Sequence, residues 1–550
     1  MAKKEVKKHE KAVYYYPDGT TLVYYEQNLN KCTDVVVGWR IPRIDIPYTN
    51  EIPAIYKNKL VFYTDENGNV RIPLIKPGLP HFVEHMIYSS LPDKSKEEIF
   101  DFFSRTNTEY NASTTQDAVD VEFDCPSKYN EEVFNLFSQM IFRNEYSKPD
   151  LQNEKGPVTQ ELLMYRDKNA HDGGATTDSL VESIGSLTSE DILGIDGKII
   201  NTFNEKEMLR FVKSYFTKQN MIISVVSDRP FAEIKALCDK YFVDKAPNLE
   251  ATTVRTPKPA YEFMNDEILL YKDESRKTAN ISFVLKGTDD YESNEIYSTV
   301  EDFILNNFNG RLLTALRNHD GKVYTPYFNS ENLPGLSLKM FTARTTPKHV
   351  DSVLKTMTGI LEDLATNGIT DAEFEGFKEM WANRRERSVS VKHNSAWNLF
   401  EKIMYDLPAF VGQYNKKLSD VTKEDINAYL KETYAHAKCC LIITGNFNEQ
   451  KLTSLNDVLK FRPLDRYMDE HYIDKELNQE FYDYLEYLEK HPDDTKGLKF
   501  IVSGNINETK KEEGQEKTTK KFCLTGSKYP LTLLNNSNGN TTDKGEEEVK

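Results

Sequence analysis

Two histidines and a glutamate lie within five consecutive residues of the segment Pro80-His81-Phe82-Val83-Glu84-His85-Met86. If this segment is helical, positions i, i+3 and i+4 share one face, so His81, Glu84 and His85 point the same way. Two imidazoles one turn apart can share a Zn²⁺ ion, and the carboxylate between them then lies beside a zinc-activated water as a general base. The order HxxEH therefore predicts half of a catalytic zinc site.

A catalytic zinc site also needs a third protein ligand and an open position for water. The segment Asp150 to Asp167 contains two candidates, Glu154 and Glu161. They are seven residues apart, which is two helical turns, so they share one face of a predicted helix. Residue types and spacing alone leave open which of the two carboxylates would bind the metal.

The combination of HxxEH, some seventy-odd residues and a pair of glutamates seven apart resembles the pattern of the pitrilysin/insulysin peptidases. This inverzincin metallopeptidase family includes the mitochondrial processing peptidase, and the chain is similar to its short two-domain form, which bacterial zinc peptidases also have. The resemblance implies that His81, His85 and Glu161 bind one Zn²⁺ per chain. It also implies that Glu84 is the general base and that Glu154 orients the site.

Two further stretches are similar to the same family. Tyr110-Asn111-Ala112-Ser113-Thr114 stands where the family's substrate-pairing edge strand begins, which implies substrate contacts from Asn111, Ala112 and Ser113. In the second half, Asn309-Gly310-Arg311-Leu312 followed by Leu316-Arg317 and Tyr324 resembles its Gly-Arg-Leu...Arg...Tyr signature. In the family that Arg and Tyr help to hold the substrate carbonyl or the tetrahedral intermediate, so the resemblance implies catalytic roles for Arg317 and Tyr324.

A diverged internal repeat at a spacing near 220 residues predicts two related domains. Pro126-Ser127-Lys128-Tyr129 and Thr346-Pro347-Lys348-His349 each precede a long amphipathic helix pattern. The second copy has Ala382 where the first has Glu161, and it has no HxxEH motif near Thr299 to Leu305. We therefore expect the second half to fold like the first without binding metal.

The expected fold class is α+β: two homologous αβ-roll domains, each a mixed sheet packed with helices, which by the resemblance form a clamshell around a chamber. We expect a basic N-terminal tail at 1–10, a catalytic zinc domain at 11–245, a linker at 246–265, a metal-free domain contributing substrate contacts at 266–465 and a partly disordered C-terminal extension at 466–550. Residues 41–77 are predicted to be a hairpin insertion with a turn at 65–69. The extension is predicted to hold an amphipathic helix over 477–488 and a strand over 498–503.

The composition excludes several classes of protein. A formal charge of −17 argues against a nucleic-acid binder, whose contact surface is basic, and is compatible with basic peptide substrates. Six cysteines without a CxxC pair do not make a disulfide framework. Apolar runs such as Cys439 to Thr444 are far shorter than the roughly twenty residues of a membrane span. Because no secretory signal is recognisable, we expect a cytoplasmic protein that binds neither nucleic acid nor membrane.

These residues predict a zinc metalloendopeptidase, a peptide-bond hydrolase that acts on unfolded polypeptides or peptides inside a closed chamber. The substrate would add as a strand to the edge near Asn111 to Thr114, since backbone pairing holds an extended peptide whatever its sequence. Two alternatives stay open: a dedicated maturation protease of a larger assembly, and a catalytically silent scaffold subunit with the same fold. Pairing with a second copy as a homodimer, or with a partner subunit, is also open.

Overall fold

A computed structural model describes residues 10–27, 31–41, 76–172, 192–249, 254, 266–288, 290–333, 336–388, 395–410 and 420–464, together with eight short strands outside these ranges. Most of the predicted linker at 246–265, the helix predicted at 477–488 and nearly all of the tail at 1–10 lie outside the described residues.

Strands and helices are distributed along the whole described part of the chain. The strands are β1 (Lys11–Tyr15), β2 (Thr21–Glu26), β3 (Cys32–Arg40), β4 (Ile55–Tyr56), β5 (Lys59–Leu60), β6 (Tyr63–Thr64), β7 (Val70–Arg71), β8 (Glu109–Thr114), β9 (Ala118–Pro126), β10 (Met221–Ser227), β11 (Glu267–Lys272), β12 (Ala279–Lys286), β13 (Tyr327–Leu333), β14 (Leu336–Thr345), β15 (Cys439–Gly445), β16 (Arg466–Asp469), β17 (Leu498–Ile501), β18 (Thr519–Phe522) and β19 (Leu531–Asn535). The α-helices are α1 (Leu79–Ile87), α2 (Lys96–Thr106), α3 (Asn130–Ile141), α4 (Lys148–Asp172), α5 (Gly197–Thr202), α6 (Glu205–Tyr215), α7 (Phe231–Cys238), α8 (Tyr291–Asn306), α9 (Val350–Asn367), α10 (Asp371–Ser388), α11 (Ala396–Met404), α12 (Lys423–Lys431) and α13 (Leu455–Phe461). π-Helical turns follow α7 and α12 and also occur at Leu313–His319.

The two halves contain mixed six-stranded sheets with the same strand order. That order is β8-β9-β3-β10-β2-β1 in the first half and β13-β14-β12-β15-β11-β16 in the second. The register also repeats, because Val121 lies opposite Ala112 in the first sheet and Phe341 lies opposite Phe328 in the second. The α+β class and the internal duplication predicted from the sequence are therefore confirmed.

The last strand of the second sheet lies just beyond residue 465, the predicted end of the metal-free domain. Strand β16 (Arg466–Asp469) pairs in parallel with β11, whereas β1 pairs antiparallel with β2 at the corresponding place in the first sheet. The second sheet thus continues to Asp469. A four-residue strand carries too little apolar alternation to be recognised in the sequence.

One face of each sheet is covered by the helices of its own half. In the first half the indole of Trp39 stacks on the ring of Phe216, with centroids 4.2 Å apart, and Phe123 stacks on Phe137 at the same distance. Aromatic pairs of this kind add about 0.5–1.5 kcal/mol to the free energy gained from burial alone. This core packs the sheet against the helices of the first half, including α1, which carries the HxxEH segment.

The outer face of the first sheet is covered by helix α11 from the second half. Buried side chains of α11, among them Phe400, pack on Val36 and Ile222 of that sheet. Gly38 is needed here, because a Cβ at this position would lie 2.4 Å from the Phe400 ring. The Arg40 guanidinium also donates to the carbonyl of Ile403 at 2.8 Å. These contacts join the two halves directly.

Several short strands lie outside the two large sheets. Within 41–77, β6 and β7 pair antiparallel on either side of the predicted turn at 65–69, and β4 and β5 form a second short pair that was not predicted. Strand β17 coincides with the strand predicted at 498–503 and joins β19 and β18 in a three-stranded sheet. Among the described helices, none is long and apolar enough to cross a membrane.

Candidate metal centre

Helix α1 carries the HxxEH segment, and its first residues explain where it begins. Gly78 precedes it with a φ of 76°, and a Cβ there would lie 2.5 Å from the Cα of Gly194, so glycine is required. Pro80 lies in the first turn, where no backbone N–H is needed. Phe82 and Val83 are fully buried. Their burial fixes the rotation of the helix.

The end of α1 is held by Arg143, which the sequence analysis did not identify. This nearly buried guanidinium donates to the carbonyl of Ile87 at 2.5 Å, to the hydroxyl of Ser89 at 2.6 Å and to the carbonyl of Ser90 at 3.1 Å. A cation is favourable here, because the last carbonyls of a helix have no partner within it and carry a partial negative charge. Arg143 therefore fixes the helix that presents both histidines.

Helix α4 carries the two predicted glutamates and packs beside α1. Leu151, Val158 and Leu162 are buried, which turns the same face of α4 toward α1. Glu154 and Glu161 lie along this contact, two turns apart, as their spacing predicted. The helix is thus placed by its apolar residues, and its carboxylates reach the histidines as a consequence.

The side chains of His81, His85 and Glu161 converge. Glu161 Oε2 lies 3.1 Å from His85 Nε2 and 3.5 Å from His81 Nε2, and the possible ligand atoms of the three residues all lie within 4.8 Å of one another. In a tetrahedral zinc site with bonds of about 2.0–2.1 Å, ligand atoms are about 3.3 Å apart. Two nitrogens and one carboxylate oxygen at these separations fit Zn²⁺ and leave a fourth position open.

Glu154 contacts the other nitrogen of the His85 ring. Its Oε1 is 3.0 Å from His85 Nδ1, and its Oε2 is 3.5 Å from Lys96 Nζ. A carboxylate at Nδ1 favours the tautomer that has its proton there, which leaves the lone pair of Nε2 directed at Glu161. Glu154 thus contacts the His85 nitrogen that points away from the converging group of His81, His85 and Glu161.

Burial and hydrogen bonding act in opposite directions on the two histidines. Burial, reinforced by the neighbouring His85, lowers the pKa of His81 to about 4. Burial would also lower the pKa of His85, but its hydrogen bonds to Glu154 and Glu161 outweigh that and raise it to about 9. The same bonds to His85 lower the pKa of both glutamates. A cation bound here would take the place of the His85 proton.

Glu84 lies next to this group but is bonded elsewhere. Its Oε2 accepts a hydrogen bond of 2.8 Å from the hydroxyl of Thr114 on strand β8. Burial raises the pKa of Glu84, which brings this carboxylate closer to the proton affinity of an effective general base. One turn later, the hydroxyl of Tyr88 donates to the backbone carbonyl of Asn111 at 2.7 Å. Helix α1 is thus linked twice to the strand predicted to bind substrate.

Within the part of the chain that the structure describes, strand β8 is the last strand of its sheet, so one side of its backbone has no strand neighbour there. The N–H of Thr115 donates to the carbonyl of Ala118 at 2.8 Å where β8 turns into β9. In an antiparallel ladder, residues alternate between those bonded to the neighbouring strand and those whose N–H and C=O face away. Residues 109, 111 and 113 are therefore bonded to β9, and residues 110, 112 and 114 face the free edge.

This alternation separates the three predicted substrate contacts. Only Ala112 offers its backbone N–H and C=O to the free edge, with Tyr110 and Thr114 on either side of it. Asn111 and Ser113 bond to β9 through their backbones and could reach a substrate only with their side chains. The Ser113 hydroxyl donates to the carboxylate of Asp120 at 2.5 Å.

The second sheet has the corresponding edge at β13, and there it is occupied. Phe328 has the register of Ala112, and its N–H and C=O are both bonded at 2.7 Å by the side-chain amide of Asn306. The amide of Asn306 thus pairs with this edge as a peptide group would. Ala112 differs from Phe328 in this respect. Among the residues that the structure describes, no partner is bonded to its outward-facing N–H and C=O, which lie on the side of the candidate metal ligands.

The structure does not bring Arg317 and Tyr324 to the metal ligands. The Arg317 guanidinium lies 4.9 Å from the centroid of the Tyr324 ring, and both side chains are exposed. Within the described part of the chain, neither makes a hydrogen bond, ion pair or ring contact with α1 or α4. The neighbouring Arg311 has a structural contact instead, donating to both carboxylate oxygens of Glu373 at 2.8 Å.

Comparison with known proteins gives two family models that match the chain. One, described as insulinase (peptidase family M16), matches residues 74–176, and another, described as peptidase M16 inactive domain, matches residues 202–380. The first range contains α1 and α4 with all three converging side chains. The second range begins in the first half, at the end of α5, and runs to residue 380 within α10 of the second half.

Individual proteins agree with these models. The uncharacterised zinc protease YmxG of Bacillus subtilis is 22% identical over 383 residues, which cover 68% of this chain and 89% of that protein. A probable mitochondrial-processing peptidase subunit beta of Schizosaccharomyces pombe is 24% identical over 230 residues, or 38% of this chain and 46% of that protein.

Solved structures show the same fold. A peptidase M16 inactive domain from Pseudomonas fluorescens has a TM-score of 0.63 and 16% identity, over 80% of this chain and 98% of that one. A protease from Helicobacter pylori has a TM-score of 0.62 and 14% identity, over 80% of this chain and 99% of that one. The chain belongs to the pitrilysin/insulinase-type M16 family.

Proposed function

We propose that this protein is a zinc-dependent metalloendopeptidase that cleaves unfolded polypeptides or peptides. One observation carries the proposal: the possible ligand atoms of two histidines and a glutamate lie within 4.8 Å of one another, beside a strand edge that has no strand neighbour among the described residues. A silent scaffold subunit would have no need to keep all three ligand side chains and Glu84 in this arrangement. The names of the relatives, several of which are zinc proteases, support the same interpretation.

When bound by His81, His85 and Glu161, zinc would supply a Lewis acid that polarises the scissile carbonyl and acidifies a water molecule. Glu84 takes the proton of the attacking water and delivers it to the leaving amine. Its raised pKa suits it to both steps, because burial makes its carboxylate more basic. Glu154 keeps the His85 ring in position throughout.

The substrate is held as an added strand. An extended peptide pairs with the N–H and C=O groups of Tyr110, Ala112 and Thr114, because these face the free edge of β8. Backbone pairing requires an unfolded segment, so compact proteins are excluded. The second sheet does not offer its edge at the corresponding position, because the side-chain amide of Asn306 is already hydrogen-bonded to the backbone of Phe328.

The second half completes the site by closing over the first. In this proposal Arg317 and Tyr324 approach the substrate only when the two halves close around it, forming a chamber. The two parts are the predicted domains at 11–245 and 266–465. Helix α11 of the second part, which packs on the outer face of the first sheet, is the junction between them. A cytoplasmic location and pairing with a second subunit stay proposals.

The test uses purified, zinc-loaded protein with quenched fluorescent peptides and a reduced, alkylated protein as substrates. Wild type should cleave both, and Glu84→Gln should lose activity by a factor of roughly 10²–10⁴, the usual contribution of a general base, while it retains one zinc per chain. Glu97→Gln, an exposed glutamate of α2, is the matched control and should behave like wild type. Equal cleavage by wild type and Glu84→Gln would contradict the proposal.

A further inference from the structure

Thr114 is the residue of the candidate site that touches two parts of it at once. Its side chain lies on the face of β8 that packs toward α1, and its hydroxyl donates to Glu84 Oε2 at 2.8 Å. Its backbone N–H and C=O face the free edge of the strand, by the alternation that the Thr115 to Ala118 bond establishes. The side chain of Thr114 therefore contacts the proposed general base, and its backbone faces the position of the substrate strand.

The bond from Thr114 is the one hydrogen bond that the Glu84 carboxylate makes within the residues that the structure describes. A glutamate side chain has three rotatable bonds, so a half-buried carboxylate with a single protein partner takes its orientation from that partner. Threonine is suited to this, because its β-branched side chain has few allowed rotamers on a strand. The position of the Glu84 oxygens is thus set from β8.

Tyr88 strengthens the link between the helix and the strand. It lies one turn after Glu84, and its hydroxyl donates to the carbonyl of Asn111, three residues before Thr114. The ring of Tyr88 also packs against that of Tyr110, with centroids 5.1 Å apart. With two attachment points, β8 cannot shift along α1 without breaking one of them.

We propose that Thr114 is a positioning residue that couples substrate pairing to the orientation of the general base. A peptide that pairs with the backbone of Thr114 steadies the strand, and the strand in turn holds the hydroxyl that orients Glu84. The proposal rests on the proposed peptidase function and adds to it a residue that acts through Glu84. Loss of the Thr114 hydroxyl should therefore affect turnover and not substrate binding, since the hydroxyl is not needed for the backbone pairing itself.

The kinetic test compares Thr114→Val, which keeps the shape and removes the hydroxyl, with Thr114→Ser, which keeps the hydroxyl. For Thr114→Val we expect kcat to fall roughly tenfold to a hundredfold, the scale known for losing the hydrogen-bond partner of a metal-binding side chain, with KM within threefold of wild type. Thr114→Ser should stay within threefold in both constants. Thr114→Ala, tested as a second variant without the hydroxyl, should resemble Thr114→Val. Zinc content should be one per chain in all three.

A second measurement does not depend on turnover. In zinc-free protein, Thr114→Val should lower the urea midpoint of unfolding, and in a Glu84→Ala background the same change should lower it much less, because the bond is already absent. Full kcat in Thr114→Val, equal defects in the Val and Ser variants, or equal midpoint shifts in both backgrounds would overturn the proposal. The proposed function fails on a different result, namely undiminished cleavage by Glu84→Gln.

Discussion

Replacing Glu154 by glutamine removes one negative charge from the site and almost no volume. The carboxylate accepts from His85 Nδ1 at 3.0 Å and thereby sets the tautomer that directs Nε2 toward Glu161. A glutamine amide can accept the same hydrogen bond with its oxygen, but it is neutral and can also present its NH₂ group to the ring. The variant should therefore still bind zinc, but more weakly.

The expected size of the effect follows from the contacts of Glu154. Losing the charged partner of a metal-binding histidine costs about tenfold to a hundredfold in metal affinity, or about 1.4–2.7 kcal/mol. The second contact of Glu154, to Lys96 at 3.5 Å, involves a lysine side chain that is 39% exposed. Such a pair contributes at most about 1 kcal/mol. Lys96→Met is therefore a control that should change zinc affinity by less than about fivefold.

The assay is competition with a chromophoric zinc chelator of known affinity, at one pH near 7.5 and in the same buffer for every variant. The free metal concentration at half saturation gives the zinc Kd of wild type, Glu154→Gln and Lys96→Met. Far-UV circular dichroism confirms that each variant is folded. If Glu154→Gln binds zinc as tightly as wild type, the orienting role assigned to Glu154 is wrong.

Three further predictions concern residues around the candidate site and in the second half. Arg143→Met leaves the carbonyls at the end of α1 without their donor and should lower the free energy of unfolding by about 2–4 kcal/mol in urea, whereas Arg105→Met on the surface should cost below about 0.5 kcal/mol. Burial raises the pKa of Asp120 to about 7. Between about pH 4 and 7 the native state therefore binds more protons than the unfolded state. The free energy of unfolding then declines as the pH rises through that range. In Asp120→Asn the free energy of unfolding should decline less over this range, by up to about 4 kcal/mol. If the free energies of unfolding of wild type and variant differ by a constant amount from about pH 4 to 8, this prediction is wrong. Arg317→Ala and Tyr324→Phe should each lower kcat roughly a hundredfold with zinc content unchanged, and full activity in both would exclude the second half from the chemistry.

The arrangement of the candidate metal ligands could be predicted in part, because the geometry within each helix is local. His81 and His85 are one turn apart on α1, and Glu154 and Glu161 are two turns apart on α4, so helix periodicity alone places each pair on one face. The meeting of the two helices is a tertiary contact that periodicity cannot supply. In the sequence analysis it came from the resemblance to a family, and the contacts to Glu161 now show it directly.

The surroundings of the ligands could not be predicted in the same way. Arg143 and Thr114 make contacts between elements that are distant in the sequence. Nothing in the sequence marks Arg143, and the predicted substrate strand that includes Thr114 gives no sign of its contact with Glu84. The alternation along β8 depends on which residues of the hairpin are bonded, and a shift of one residue would exchange Ala112 for its neighbours at the free edge.

The second half contains a charged residue at a core position, which an apolar sequence pattern does not predict. Lys339 has the register that Val119 has in the first half, and it is fully buried in the packed interior. Its ammonium is 3.0 Å from the carboxylate of Glu301 and 3.0 Å from the hydroxyl of Ser330. A buried lysine is tolerated because it is paired and hydrogen-bonded, which no apolar pattern reveals.

His81, His85 and Glu161 are proposed to hold one zinc ion together. X-ray absorption at the zinc K-edge, on protein loaded with one equivalent of Zn²⁺, tests it most directly. The structure predicts a first shell made only of nitrogen and oxygen at about 2.0–2.2 Å, with outer-shell scattering from two imidazoles. The same spectrum in Glu161→Gln should change, while that of Glu97→Gln should not. A sulfur shell at about 2.3 Å, or protein that fails to retain a full equivalent of zinc, would contradict the account.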